Sequence, residues 1–300
     1  MNLKRIAITV PLILVLGAAI AGCSDDDGGI SGSGNIVTRD FDLSGFTSVR
    51  LDLFDAEITQ SETYSVTVRA DDNVIDIIDV DTSGETLVLT TSGTRLRGNV
   101  TLEATITMPD LDSLELNSAG RANLGGFDSL DRLNVKLSGA SKLTGTLTAG
   151  SIEINASSAS NVTGTLTAAS IEIDASGASN VTGTLTADSI GIDASSASKV
   201  TGVLTADDVE LTANGASRVT LEGSATSVTL DAAGASKFEL EDFLAATGEV
   251  KLSGASQATV NITDSIGPVD VSGASKLRYL GAPTLDQVST SGASSVDQID

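Results

Sequence analysis

The sequence predicts an all-β chain, a single-stranded parallel β-helix with about 19 residues per rung, on three observations. The first is a repeat: LNVKLSGASKLTGTLTA runs from Leu133, and kindred segments start at Ile152, Ile171, Ile190 and Val209, each 19 residues after the last. The second is a fixed corner. Its four residues begin at Ser138, Ser157, Ser176, Ser195, Asn214 and Ala233, then, after one 20-residue step, at Ser253, Ser272 and Ser291, while Ala119 opens a degenerate earlier copy. The third is the period. Apolar residues alternate in short runs that break at the corners, which fits strands of a turning coil and leaves no helical pattern.

Counted from the first corner residue, apolar side chains fall at −5, −3 and −1 (Ile152, Ile154, Ala156), at +2 (Ala159), +5 (Val162), +9 (Leu166) and +11 (Ala168). In a parallel β-helix these face inward, and equal residues stack about 4.8 Å apart. The Gly of corners such as Ser176-Gly177-Ala178-Ser179 supplies a positive φ, and the Ala is expected in the tight interior. A column of Gly145, Gly164, Gly183 and Gly202 marks a second bend. A leucine-rich solenoid would need its asparagine-ended signature and a helical segment, and the calcium β-roll would need GGxGxD; neither occurs.

Composition excludes several functions. The 300 residues hold 40 acidic and 17 basic side chains, a formal net charge of −23, which argues against nucleic acid as a partner. There is no His, so Ser-His-Asp, Cys-His and His-zinc chemistry are ruled out. The one Cys, Cys23, permits no intrachain disulfide.

Residues 1–22 read as a bacterial secretion signal, with Lys4 and Arg5 ahead of an apolar run that ends in small residues. Ile20-Ala21-Gly22-Cys23 resembles a lipobox, which implies that Cys23 is lipidated and that the mature chain is anchored to a membrane. Without Lys4 and Arg5, 15 basic residues remain against 40 acidic, a net charge of −25. Residues 23–35 are expected to form a flexible Gly/Ser/Asp tether. Within it Ser24-Asp25-Asp26-Asp27 resembles the acidic tag that sends some lipoproteins to the cell surface.

Residues 36–111 lack the repeat and read as an irregular strand region packing on the solenoid of 112–300. Val49–Leu53, Tyr64–Val68, Thr86–Leu89 and Val100–Ile106 alternate with period two, and 73–80 reads as a short helix or a strand. Gly34–Phe41 (GNIVTRDF), Phe46-Thr47-Ser48-Val49 and Met108-Pro109-Asp110-Leu111, followed by SGAS-like repeats, resemble the putative auto-transporter adhesin, head GIN domain family. The resemblance spans about residues 33–300. It implies a secreted or lipid-anchored β-helix, right-handed, of largely unassigned function.

Function must lie in the outward ladders of the repeat or outside the repeat block altogether. An acidic ladder at −4 and −2 includes Glu153, Glu172, Asp174 and Asp193, and continues to Glu210 and Asp231; Ca²⁺ is the cofactor it could hold, a solvated face the plainer reading. A ladder at +4 reads Lys142, Asn161, Asn180, Lys199, Arg218, Lys237, Gln257 and Lys276, a strip for acidic glycans or a charge-balancing surface. A threonine ladder pairs Thr146 with Thr148, Thr165 with Thr167 and Thr184 with Thr186. Flat Thr-x-Thr arrays resemble the ice-binding face of some antifreeze solenoids, although Val203 breaks this one; Thr is also simply a good outward strand residue.

The expected function is therefore that of a membrane-anchored, extracytoplasmic structural or adhesive element without catalysis, at the outer membrane or cell surface, with surface glycans or proteins as partners. A carbohydrate-binding or carbohydrate-processing β-helix, and an ice- or calcium-binding ladder, are the alternatives. Repetition itself disfavours an enzyme, because chemistry needs one asymmetric constellation. At the far end, 291–300 is expected to leave a strand edge that Asp297 and Asp300 blunt or a second copy covers.

Overall fold

A computed structural model describes residues 29–93, 95–128 and 130–300; the signal segment and Cys23 lie outside these. The described chain winds into a parallel β-solenoid of about 10 turns with about 19 residues per turn. Rungs pair residue for residue. Ile152 lies beside Ile171 and Ile171 beside Ile190, and Leu147, Leu166 and Leu185 follow in the same way. Each rung contributes one strand to each of two stacks, joined on one side by the corner. On the other side the backbone often runs through unbroken, as in the 15-residue strand Lys142–Ala156.

Alternation decides which side chains are inside. In one rung Ile171, Ile173, Ala175, Val181 and Leu185 are all at most 4% exposed, while Glu172, Asp174, Thr182 and Thr184 face solvent. Burying each Ile, Leu or Val contributes roughly 1.5–3 kcal/mol, so an isolated rung is unstable and its neighbours complete it.

The corner corrects one expectation. The Ala at +2 does not point inward: Ala159 and Ala178 are exposed, and Ala159 itself takes a φ of 71°. The inward corner residue is the Ser at +3, and Ser160, Ser179, Ser198, Ser217, Ser236, Ser256 and Ser275 are buried to 1% exposure or less. The corners share a left-handed residue at +1, such as Ser158 (φ 55°), Gly177 (φ 70°), Ser196 (φ 65°) or Gly215 (φ 74°), joined by a left-handed +2 residue at Ala159, and the turn leaves the +2 side chain outside and the +3 hydroxyl on carbonyl oxygens. Ser217 Oγ lies 2.9 Å from Asn214 O in its own corner and 2.8 Å from Ala194 O of the preceding rung. Ala168 at +11 is half-buried against the core.

Register also moves the earliest copy. Leu116 pairs with Leu137, so that corner begins at Asn117, not Ala119, and Ser118 and Ala119 are its left-handed pair. The rung is longer because the bend after Arg121–Gly125 carries Gly126 and buries Phe127. Further along, the 20-residue step is absorbed by register shifts around the 16-residue strand Lys237–Leu252. The glycine column bends the second stack: a Cβ on Gly183 would lie 2.1 Å from the carbonyl oxygen of Gly164, so no side chain fits.

The solenoid begins before the visible repeat. Ser48–Asp52 pairs parallel with Ser113–Asn117, and Asp55–Gln60 with Arg121–Gly125, which makes 48–60 a coil in its own right. The intervening segment extends both stacks: Thr86–Thr91 and Leu102–Met108 add parallel strands, Ile78–Ser83 and Ser65–Asp71 add antiparallel ones, and Ile36–Phe41, ahead of the coil, pairs antiparallel with Ser65–Asp71. Residues 73–80 split between a single 3₁₀ turn, Ile75–Ile77, and the start of Ile78–Ser83. Phe46, Phe54 and Met108 are buried in this region, and Phe46 meets Tyr64 edge-on at 4.9 Å.

Residues 29–35, placed in the tether by their composition, are bound to the body. Ile30 and Ser31 pair with Leu96 and Arg97. Asp71, 2% exposed, accepts hydrogen bonds from Gly34 N (2.7 Å) and Thr101 N (2.8 Å), and Asn73 holds Ser31 O and Ser33 N. An Asp-Asp-Asn turn satisfies backbone groups that water would otherwise solvate, and this makes a polar segment adhere.

Candidate functional site

Two outward surfaces follow from this geometry. The first is the acidic ladder on the first stack, where Glu153 pairs with Glu172, and Asn155, Asp174 and Asp193 lie in succession. Its members do not share one environment. The Asn155 amide, and then the Arg132 guanidinium at 2.9 Å, hold the Glu153 carboxyl below the usual range. Among the described residues Glu172 and Asp174 have no such partners; partial desolvation, then the like charges around them, push both up. Gly191 leaves a gap into which the Glu172 carboxylate folds. Asp231 is relieved by Lys251 at 2.9 Å.

Among the described residues, no three carboxylates converge as a metal site would require. A parallel ladder explains this, since its side chains leave the sheet side by side, whereas Ca²⁺ needs 6–8 oxygens around one point.

The second surface is the outer face of the second stack. Here register aligns Thr146, Thr165 and Thr184 in one column and Thr148, Thr167 and Thr186 in another, with Val203 following Thr184 and Thr205 following Thr186. They are exposed save Thr148, which is partly covered. Nearer the corner, the +4 column gains a member the repeat conceals: Arg121 pairs with Lys142, which continues through Asn161, Asn180, Lys199, Arg218, Lys237, Gln257 and Lys276. Beside it the +6 column runs from Asn123 through threonines to Glu239 and then through Thr259 and Arg278 to Asp297. At the lower end a depression of about 450 Å³ is lined by Asp55, Glu57, Glu103, Arg121, Asn123 and Lys142. Sequence reasoning missed Arg121 and these acids because their strands join the stack out of repeat phase.

The model of the putative auto-transporter adhesin, head GIN domain family matches residues 45–184 and 169–283. The chain belongs to that family. Its two overlapping matches span the early coil at 48–60 as well as the regular rungs. A putative adhesin from Parabacteroides merdae superposes with a TM-score of 0.53 at 16% identity, over 91% of this chain and 99% of that one. A second, from Parabacteroides distasonis, does so at 0.51 and 16% identity, over 90% and 100%. At these identities the likeness is one of fold. No curated protein matches the sequence.

Proposed function

We propose that this family member is a non-catalytic adhesive element of the bacterial cell envelope, held to the membrane by a lipid on Cys23 and presenting the long side of its solenoid as the contact surface. The observation that carries this reading is the recurrence of the outward residues. Thr, Asn, Lys and acidic side chains return rung after rung in register, which suits an extended, many-point contact and gives no asymmetric set of acid, base and nucleophile. Family membership supports the adhesive role, and the lipobox-like end supports the anchor.

The test compares cells carrying the full chain with cells lacking it for retention on glycan-coated, host-cell and bacterial surfaces. Greater retention on at least one surface is expected, and equal retention on all would overturn the reading. Membrane fractionation of Cys23→Ala tests the anchor: the variant should leave the membrane fraction, and its persistence there would contradict lipidation.

A further inference from the structure

The +4 and +6 columns concentrate positive charge on a protein that is otherwise strongly acidic. Of the ten Lys and Arg in residues 112–300, seven stand in these two columns; the other three are Arg132, Lys136 and Lys251. Between residues 121 and 278 the columns contain one acid, Glu239, which bridges Arg218 (3.2 Å) and Lys237. Glu222 and Glu241 stand farther along the same strands.

Lys142, Lys199, Lys276 and Arg278 have no ion-pair partner within 4.0 Å among the described residues. Lys199, Arg218 and Lys237 follow one another on adjacent strands, so they repel at roughly 4.8 Å spacing. Glu239 offsets one of these three charges, and a polyanion laid along the run would balance the remaining two.

We infer that this strip binds an acidic polysaccharide, a linear polymer bearing carboxylates or sulfates, aligned with the solenoid axis. The inference rests on the adhesive reading and names its ligand class. Nine strands from Arg121 to Lys276 give a track of roughly 40 Å, long enough for several sugar units. Asn161, Asn180 and Gln257 offer amides between the cations, and the adjoining Thr column offers hydroxyls, which match sugar hydroxyls. The columns hold no aromatic residue. That disfavours neutral sugars and single-stranded nucleic acid, both of which gain from stacking, and leaves charge as the source of affinity. The net negative charge of the whole body is screened within about 8 Å at physiological salt, so it does not cancel a contact made at the strip.

The experiment measures binding of the detergent-solubilised full chain to alginate by biolayer interferometry, with dextran, duplex DNA and phosphatidylglycerol vesicles in parallel. Saturable alginate binding that weakens steeply with salt is expected, with none to dextran. Lys199→Glu/Arg218→Glu/Lys237→Glu should weaken it at least tenfold, while Lys251→Glu, on the other stack, leaves it unchanged. Should the triple variant fail to fold, Lys199→Gln/Lys276→Gln, which breaks no ion pair, should weaken it several-fold.

No alginate binding, equal binding by the strip variants, or equal or tighter binding to DNA or vesicles would overturn the inference. So would a strip variant whose only change, by light scattering, is loss of self-association. Retention of cells that survives the strip variants would refute the strip and leave the adhesive reading standing.

Discussion

The hydroxyl of Ser217 sits 2.8 Å from the carbonyl oxygen of Ala194, and the backbone N–H of Asn214 donates to that same oxygen at 2.8 Å. A buried polar column thus runs inside an apolar solenoid, and the hydroxyls of Ser141, Ser179, Ser217, Ser236 and Ser256 each tie their own corner to the rung before it. Because Ala194 O keeps its backbone donor when the hydroxyl is removed, Ser217→Ala should cost only about 0.5–1.5 kcal/mol. Ser217→Val, which puts two methyl groups against Ser198 and Ser236, should cost more, about 1–3 kcal/mol beyond the lost hydrogen bond. Urea denaturation of both variants checks the order.

Gly183→Ala places a methyl 2.1 Å from the carbonyl oxygen of Gly164, a clash of backbone with side chain that no rotamer relieves. The rungs must spread, and the melting midpoint should fall by the equivalent of about 1–3 kcal/mol. A melting curve no different from that of the unchanged protein would contradict the assignment of the glycine column to close backbone approach.

The acidic ladder predicts an inverted pH response. Glu172 has a carboxyl pKa raised by partial desolvation and its acidic neighbours, so the folded state holds that proton more tightly than the unfolded one. Its contribution is favourable below the ordinary Glu pKa and is lost as pH rises through the raised folded value. Glu172→Gln should therefore raise the thermal midpoint at neutral pH, and the gain should shrink toward nothing as pH falls below the ordinary Glu range. A difference that stays constant with pH would show that the effect is not one of titration.

Asp71 works in the opposite sense. The N–H groups of Thr101 and then Gly34 lower its pKa, so its contribution is present above the ordinary Asp value and is lost as pH falls through the depressed one. In Asp71→Asn only one side-chain atom can still accept, and one of the two N–H groups loses its partner. Hydrogen exchange at Gly34 and Thr101 should speed up at one or both amides while the amides of Ile171 and Ile173 stay protected.

The solenoid was legible because stacking forces a period on the sequence: Ile152, Ile171 and Ile190 must recur if they are to touch. The corner was read one residue out of place. Burial preference favours Ala over Ser, and the acceptor that makes Ser179 an inward residue, Ala156 O, lies 23 residues away and cannot be seen in the corner itself. The coil at 48–60 stayed hidden for a similar reason, since Val49 and Leu114 pair across 65 residues and share no motif. On the outer surface the ladders followed from the repeat, whereas the unequal fates of Glu153 and Glu172 depend on Asn155, which stands where the next rung has Asp174, and then on Arg132, which stands outside the ladder. Arg121 joined the cationic column only once the register had moved the first corner to Asn117.

Location and register can be read together through thiol labelling, because Cys23 is the chain's only cysteine. Intact cells expressing full-length Ala178→Cys or Ser179→Cys are treated with a membrane-impermeant maleimide. Exposed position 178 should label on intact cells, while buried position 179 should not, nor should the unchanged protein if its one thiol carries the proposed lipid. Labelling of position 178 only after the cells are broken would contradict a surface element, and equal labelling of 178 and 179 would contradict the coil.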